Sequence, residues 1–141
     1  MNVREAALAE ARRWIGTPYR HQASVRGAGA DCLGLIRGVW RALNGGEPQA
    51  LPPYPARWDA GGDDLLMRAA ERWLIPVDRA EPGDVLLFRL KPGLPARHCG
   101  ILSTPDTLIH AYWGRAVSET ALTPWWRRRI AGQFQFSSQV K

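Results

Sequence analysis

The chain predicts an α+β domain, with helices in its first half and consecutive antiparallel strands in its second. Two observations carry this. Apolar residues recur at helical spacing as far as about Trp73, then fall into short extended blocks. Clusters of Pro, Gly and Asp separate those blocks. Helices first and strands afterwards is the order of a domain whose helices pack on one face of a meander.

Asn2 can cap a first helix over about residues 3–15, with Val3, Ala7, Leu8, Ala11, Trp14 and Ile15 at helical spacing. Gly16-Thr17-Pro18 ends it, and residues 16–30 read as a Gly-rich polar loop. A second helix begins near Asp31 and runs to Leu43. Its apolar face is Leu35, Ile36, Val39, Trp40 and Leu43, and Asn44-Gly45-Gly46 stops it. Residues 45–62 carry Pro48, Pro52, Pro53 and Pro55 and read as a surface excursion. Asp63 or Asp64 caps a third helix to about Trp73, with Leu65, Leu66, Ala69 and Trp73 inward.

Glu81-Pro82-Gly83-Asp84 is a turn, and Val85-Leu86-Leu87-Phe88 a strand. Pro92, Gly93 and Pro95 mark a loop over 91–96. His98-Cys99-Gly100-Ile101-Leu102 forms the next strand, and Thr104-Pro105-Asp106 turns the chain into Thr107–Ala111. A short strand spans about Ala116–Glu119. The tail carries Trp125-Trp126-Arg127-Arg128-Arg129 and then an alternating stretch, Ile130–Phe136.

The 141 residues fit a single domain over 1–141. No apolar run reaches the length of a membrane span. The N-terminus opens an amphipathic helix and lacks the layout of a signal peptide, so export by lysis or within a larger particle is expected. Two cysteines argue against a disulfide framework. A net charge of +6 favours polyanionic surroundings, whether nucleic acid, anionic membrane or bacterial wall. Seven tryptophans suggest surface recognition as well as core.

Cys32 opens the second helix, where free N–H groups and the helix dipole favour a thiolate. A cysteine is also a common core residue. His98 begins a strand and shares a face with Gly100, while Cys99 points the other way into the core. A turn near Thr104–Pro105 pairs residues whose numbers sum to about 208 or 209. That places His98 and His110 nearly opposite each other on adjacent strands. His21, in the loop before Cys32, reads as a solvated residue that can line a cleft. A Cys–His–His line makes chemical sense. A thiolate attacks a carbonyl carbon, an imidazole returns the proton to the leaving amine, and a further polar group orients the imidazole. An N–H at the helix start can stabilise the oxyanion.

Gly16-Thr17-Pro18-Tyr19, Asp31-Cys32-Leu33-Gly34-Leu35, His98-Cys99-Gly100-Ile101 and Ile109-His110-Ala111, with Pro82-Gly83-Asp84 between them, resemble in order the motifs of the NlpC-type peptidoglycan peptidases, a papain-like group. The resemblance covers about residues 5–112. It implies a papain-like α+β fold with Cys32 as nucleophile, His98 as base and His110 as third residue. It also implies Tyr19 beside the nucleophile, Asp31 as a group for the substrate's free amine, and no metal or organic cofactor. The implied substrate is a wall stem peptide, cut between D-glutamate and a diamino acid through a thioester. Leu33 stands where the family has serine. The compact Asp-Cys-Leu-Gly-Leu form resembles the phage-tail branch, including peptidases of gene transfer agents, which implies tail-tip or baseplate partners.

Three rival readings follow from other features. A zinc site among Cys32, His98, Cys99, His110 and His21 lacks ligand spacing, and His98 and Cys99 point apart. Trp125–Arg129 can stack bases and hold phosphates, or dock on a partner protein, or form an amphipathic helix with its tryptophans inward. A catalytically silent structural component of a tail is the remaining alternative.

Overall fold

The computed structural model describes residues 2–46 and 64–138. The proline-bearing excursion expected over 45–62 and the cap expected at Asp63 lie for the most part outside the described residues. Helix α1 spans Val3–Trp14. Its N-terminus is closed by a capping box, in which the Asn2 side chain accepts from the Glu5 N–H and Glu5 reaches back to the Asn2 N–H. The loop that follows holds a small hairpin, β1 (Ser24–Val25) and β2 (Gly29–Ala30), where the sequence suggests only loop. Helix α2 spans Cys32–Asn44 and ends at Gly45 in the left-handed conformation that lets a glycine turn the chain away. Helix α3 spans Leu65–Trp73.

The expected face of α3 is rotated by one position. Leu66 and Ala70 are buried, whereas Leu65 is exposed. Asp64 precedes the helix without capping it through its side chain. Its carboxylate instead accepts from the Ala96 N–H and pairs with Arg89, which fixes α3 to the loop before the histidine-bearing strand.

The strands are β3 (Leu74–Pro76), β4 (Val85–Phe88), β5 (His98–Thr104), β6 (Thr107–His110), β7 (Ser118–Ala121) and β8 (Ile130–Phe136). A short helix, α4 (Pro124–Arg127), lies between the last two. They form one antiparallel sheet in the order β3-β8-β4-β5-β6-β7. The run from β4 to β7 is the expected meander. Strand β8 returns to pair with β4 and gives β3 a partner.

The sheet separates two apolar layers. Ala7, Ala11 and Trp14 of α1 and Leu35, Ile36 and Val39 of α2 bury against Val85, Leu87, Cys99, Ile101, Ile109 and Phe134. This is the main core, and it follows from strand alternation, which sends every second residue toward the helices. Leu86, Phe88, Leu102, Leu108 and Leu122 form a second cluster, with Trp126 and Ile130 packed on it. The helix that carries Cys32 and the strand that carries His98 are thus packed together within one core.

Candidate active site

The site is assembled at the head of α2 and the start of β5. Asp31 caps α2, and each of its carboxylate oxygens accepts from a backbone N–H. Oδ1 accepts from the Gly34 N–H and Oδ2 from the Gln22 N–H, each at 2.7 Å. Gln22 has a positive φ of 63°, so this hydrogen bond holds a backbone turn that a non-glycine residue rarely adopts. His21 Nδ1 lies 3.8 Å from Asp31 Oδ2. Gly34 permits the close approach of this loop, since a Cβ there would stand 1.9 Å from the Ala23 carbonyl oxygen. One buried carboxylate therefore ties the loop bearing Tyr19 and His21 to the first turn of α2.

Cys32 follows the cap and is 7% exposed. Both cysteines carry free thiols. Cys99, expected to point into the core, does so, in the same buried cluster as Cys32. The neighbouring Cys32 side chain and burial push the Cys99 thiol well above its ordinary range. Tyr19 sits close enough to feel the charges of Asp31 and Cys32. Burial first, and those charges second, push its phenol up to about 12, so it stays a hydrogen-bond donor at neutral pH.

His98 and His110 are brought together. His98 Nε2 and His110 Nδ1 are 2.7 Å apart, and both residues are 4% exposed. They are not directly opposite. The ladder pairs Ile101 with Ile109 and Leu102 with Leu108, so it sums to 210 rather than the expected 208 or 209. The turn is centred on Pro105–Asp106, one residue later than expected, so Thr104 pairs with Thr107, and an irregularity between Leu102 and Thr104 then brings the sum from 211 to 210. Gly100 then faces His110, and the two imidazoles meet along the diagonal. Glycine is needed there, because a Cβ on Gly100 would lie 2.4 Å from Leu108 Cδ1 and 3.0 Å from His110 Cβ.

Both imidazoles are held neutral at physiological pH. Burial, and then the neighbouring His110, push His98 well below its usual range. Burial pushes His110 down to about 4. The far nitrogen of His110 is also occupied, with Nε2 2.8 Å from Thr120 Oγ1 on β7. Thr120 carries no motif signal and was not foreseen. Nor were the rings that enclose the pair: Phe88 at 5.8 Å, Tyr112 at 5.2 Å and Trp126 at 5.2 Å from His98.

The tail segment is in part what its amphipathic reading expected. Trp126 turns inward while Trp125 stays exposed. Arg127 pairs with Asp106, and Arg129 lies over the Trp125 ring. No group of three or more His, Cys, Asp or Glu side chains is placed to hold a metal ion among the described residues. No helix of the described residues is long and apolar enough to cross a membrane.

Residues 16–134 match the model of the NlpC/P60 family. Among solved structures, the chain is similar to the NlpC/p60 domain of the peptidoglycan hydrolase SagA, with 27% identity and a TM-score of 0.60 over 97% of this chain and 99% of that one. It also resembles an NlpC/P60 family protein from Bacillus cereus, at 18% identity and a TM-score of 0.65. There it covers 96% of its own length but only 40% of the other's. RipD of Mycobacterium tuberculosis, a non-catalytic NlpC/p60 domain protein adapted to peptidoglycan binding, aligns at 14% identity with a TM-score of 0.53, over 100% of this chain and 99% of that one. No curated protein matches significantly.

Proposed function

The chain belongs to the NlpC/P60 family, and from that premise we propose that it is a cysteine endopeptidase of peptidoglycan, with Cys32 as nucleophile, His98 as base and His110 as the residue that orients the base. The observation that carries the reading is the buried 2.7 Å hydrogen bond between two neutral imidazoles, one of them on the strand that packs against the helix opened by Cys32.

The hydrogen-bond chain selects a working tautomer. With the proton on His98 Nε2, that N–H donates to His110 Nδ1, and His110 Nε2–H donates to Thr120 Oγ1. His98 Nδ1 is then left with a lone pair as the base. The reading requires the Cys32 side chain to bring its sulfur to that nitrogen. Proton transfer from sulfur to His98 Nδ1 gives thiolate and imidazolium. The thiolate adds to the scissile carbonyl carbon, and the displaced electron pair moves to oxygen, facing N–H groups at the head of α2. Collapse breaks the C–N bond as His98 gives its proton to the leaving amine. A water, deprotonated by His98, then cleaves the thioester and releases the acid.

Tyr19, Asp31 and His21 line the approach on the loop that the Asp31 carboxylate organises. Asp31 supplies the negative charge for a free substrate amine, and the bond cut is D-glutamyl–diamino acid. With its Asp-Cys-Leu-Gly-Leu segment, the chain fits carriage on a phage-like tail acting at the wall. The likeness to RipD supplies the rival reading of a silent wall-binding domain, and the presence of Cys32, His98 and His110 in one chain favours hydrolysis. Mass spectrometry of muropeptides after digestion tests the proposal. New termini within stem peptides, absent with Cys32→Ala, support it. Intact muropeptides with wild-type protein, bound but uncut, overturn it.

A further inference from the structure

The segment Trp125–Arg129 reads from sequence as a surface feature, yet the structure builds from it a clamp over the imidazole pair. Thr123 caps α4 by accepting from the Trp126 N–H, and Pro124 starts the helix. Arg127 Nη2 donates to the Pro105 carbonyl at 3.0 Å and to Asp106 Oδ1 at 2.9 Å. The Leu122 N–H donates to the Asp106 carbonyl at 2.8 Å. Both ties end on the β5–β6 turn, which belongs to the same hairpin that carries His98 and His110. Arg129 closes the other end, with Nη1 donating to the Trp125 carbonyl and its guanidinium 3.7 Å above the Trp125 ring.

The outcome is the placement of one ring. Trp126 lies 5.2 Å from His98, 5.4 Å from His110, 5.5 Å from Tyr112 and 4.8 Å from Phe88, centroid to centroid. Phe88 stacks on His98 at 5.8 Å, and Tyr112 stands edge-on to it at 5.2 Å. The hydrogen bond between the imidazoles is thus enclosed by three aromatic rings, and Trp126 is carried by a short helix that Arg127 ties to the hairpin bearing both histidines. Excluding water matters to such a bond. Water competes for both ring nitrogens, and the same bond is stronger in a low-dielectric surrounding.

We propose that Trp126 is a positioning residue, whose ring roofs the His98–His110 hydrogen bond, keeps water off it and fixes the His98 ring in the plane it needs to serve Cys32. This rests on the peptidase reading given above for its link to catalysis, but the roof itself has a readout that needs no substrate. A buried imidazole N–H shared between two rings gives a downfield proton resonance that survives in water only while exchange is slow.

In the full chain, Trp126→Ala is expected to lose that resonance to solvent exchange. It is also expected to lower kcat about 10- to 100-fold with little change in KM, the scale expected when a catalytic group is slightly misplaced. Trp126→Phe is expected to restore most of both. Arg127→Ala, an exposed change that leaves no core cavity, loosens the same tether and should weaken both readouts to a lesser degree. It carries the test with Trp126→Phe if Trp126→Ala melts early. A resonance and a kcat both kept in Trp126→Ala, or in Arg127→Ala should the first variant not fold, overturn the proposal. A wild-type protein that shows the resonance but cuts no stem peptide counts against the peptidase reading alone, because loss of the resonance in the variants still identifies the roof.

Discussion

Two buried neutral imidazoles make the fold sensitive to acid in a way that can be calculated. His110 is pushed from 6.5 down to about 4, so the folded protein resists a proton that the unfolded chain accepts. Above about pH 6.5 both states are neutral there and the group contributes nothing to the balance. As pH falls, the unfolded chain binds the proton first, stability declines, and the loss is complete near pH 4. The shift is 6.5 − 4, or 2.5, and at about 1.4 kcal/mol for each unit the cost is about 3 kcal/mol. His98 is shifted in the same direction and adds to it. A domain of this kind has roughly 5–15 kcal/mol to lose, so the effect is a large share of the total. A carboxylate held below its usual range, as Glu119 is by Ser103 and Arg12, also loses stability in acid, so the contribution of the histidine needs a reference variant. His110→Gln supplies it. Urea unfolding of both proteins at pH 7, 5.5 and 4 should show the wild type losing about 3 kcal/mol more than the variant across that range. Parallel losses would mean that the imidazole pair is not held neutral by burial, and the reasoning about the site would fail with it.

Other expectations concern the cysteines and the close contact at Gly100. Cys32→Ala should abolish stem-peptide hydrolysis while leaving the melting temperature nearly unchanged. Cys99→Ala should keep most of the activity and lose about 1 kcal/mol through the loss of a fully buried sulfur from the core, as seen in paired digestion and urea assays. Because burial and Cys32 hold the Cys99 proton, peptide mapping after alkylation in mildly alkaline buffer should find Cys99 unmodified in the folded protein; modification of Cys99 ahead of Cys32 would contradict the packing. Gly100→Ala puts a Cβ against Leu108 and His110, so it should cost about 1–3 kcal/mol and reduce turnover by displacing His110. A variant with unchanged turnover would show that the pair tolerates movement.

Much of this molecule was legible in local signals. The ends of α1 and α2 follow from Asn2, Asp31 and Gly45, residues whose capping chemistry acts within one turn. β4 and β8 have the expected bounds because their apolar patterns need no distant partner to be recognised. What escaped is non-local. β3 is three residues long, contains Pro76 and exists because it pairs with β8, some sixty residues away. β7 begins two residues later than expected because Val117 is drawn off by hydrogen bonds with Gly16 and Thr17. Asp31 was legible as the start of α2, but not as a cap whose second oxygen serves Gln22, whose left-handed backbone has no sequence mark. The pairing of His98 with His110 was legible as a meeting of neighbouring strands, and the turn position, one residue later than expected, was not. Thr120 and Trp126 were invisible as site residues, because their partner is a pair of rings assembled from two other strands.

The measurement closest to the heart of the account is the rate of iodoacetamide alkylation at Cys32, at neutral pH, in wild type and His98→Ala, resolved by peptide mass spectrometry. An imidazole that takes the proton of Cys32 predicts fast modification in the wild type and a rate at least about tenfold lower in the variant, since thiolate is the reacting form. Equal rates in the two proteins would show that the sulfur at the head of α2 never reaches the imidazole on β5.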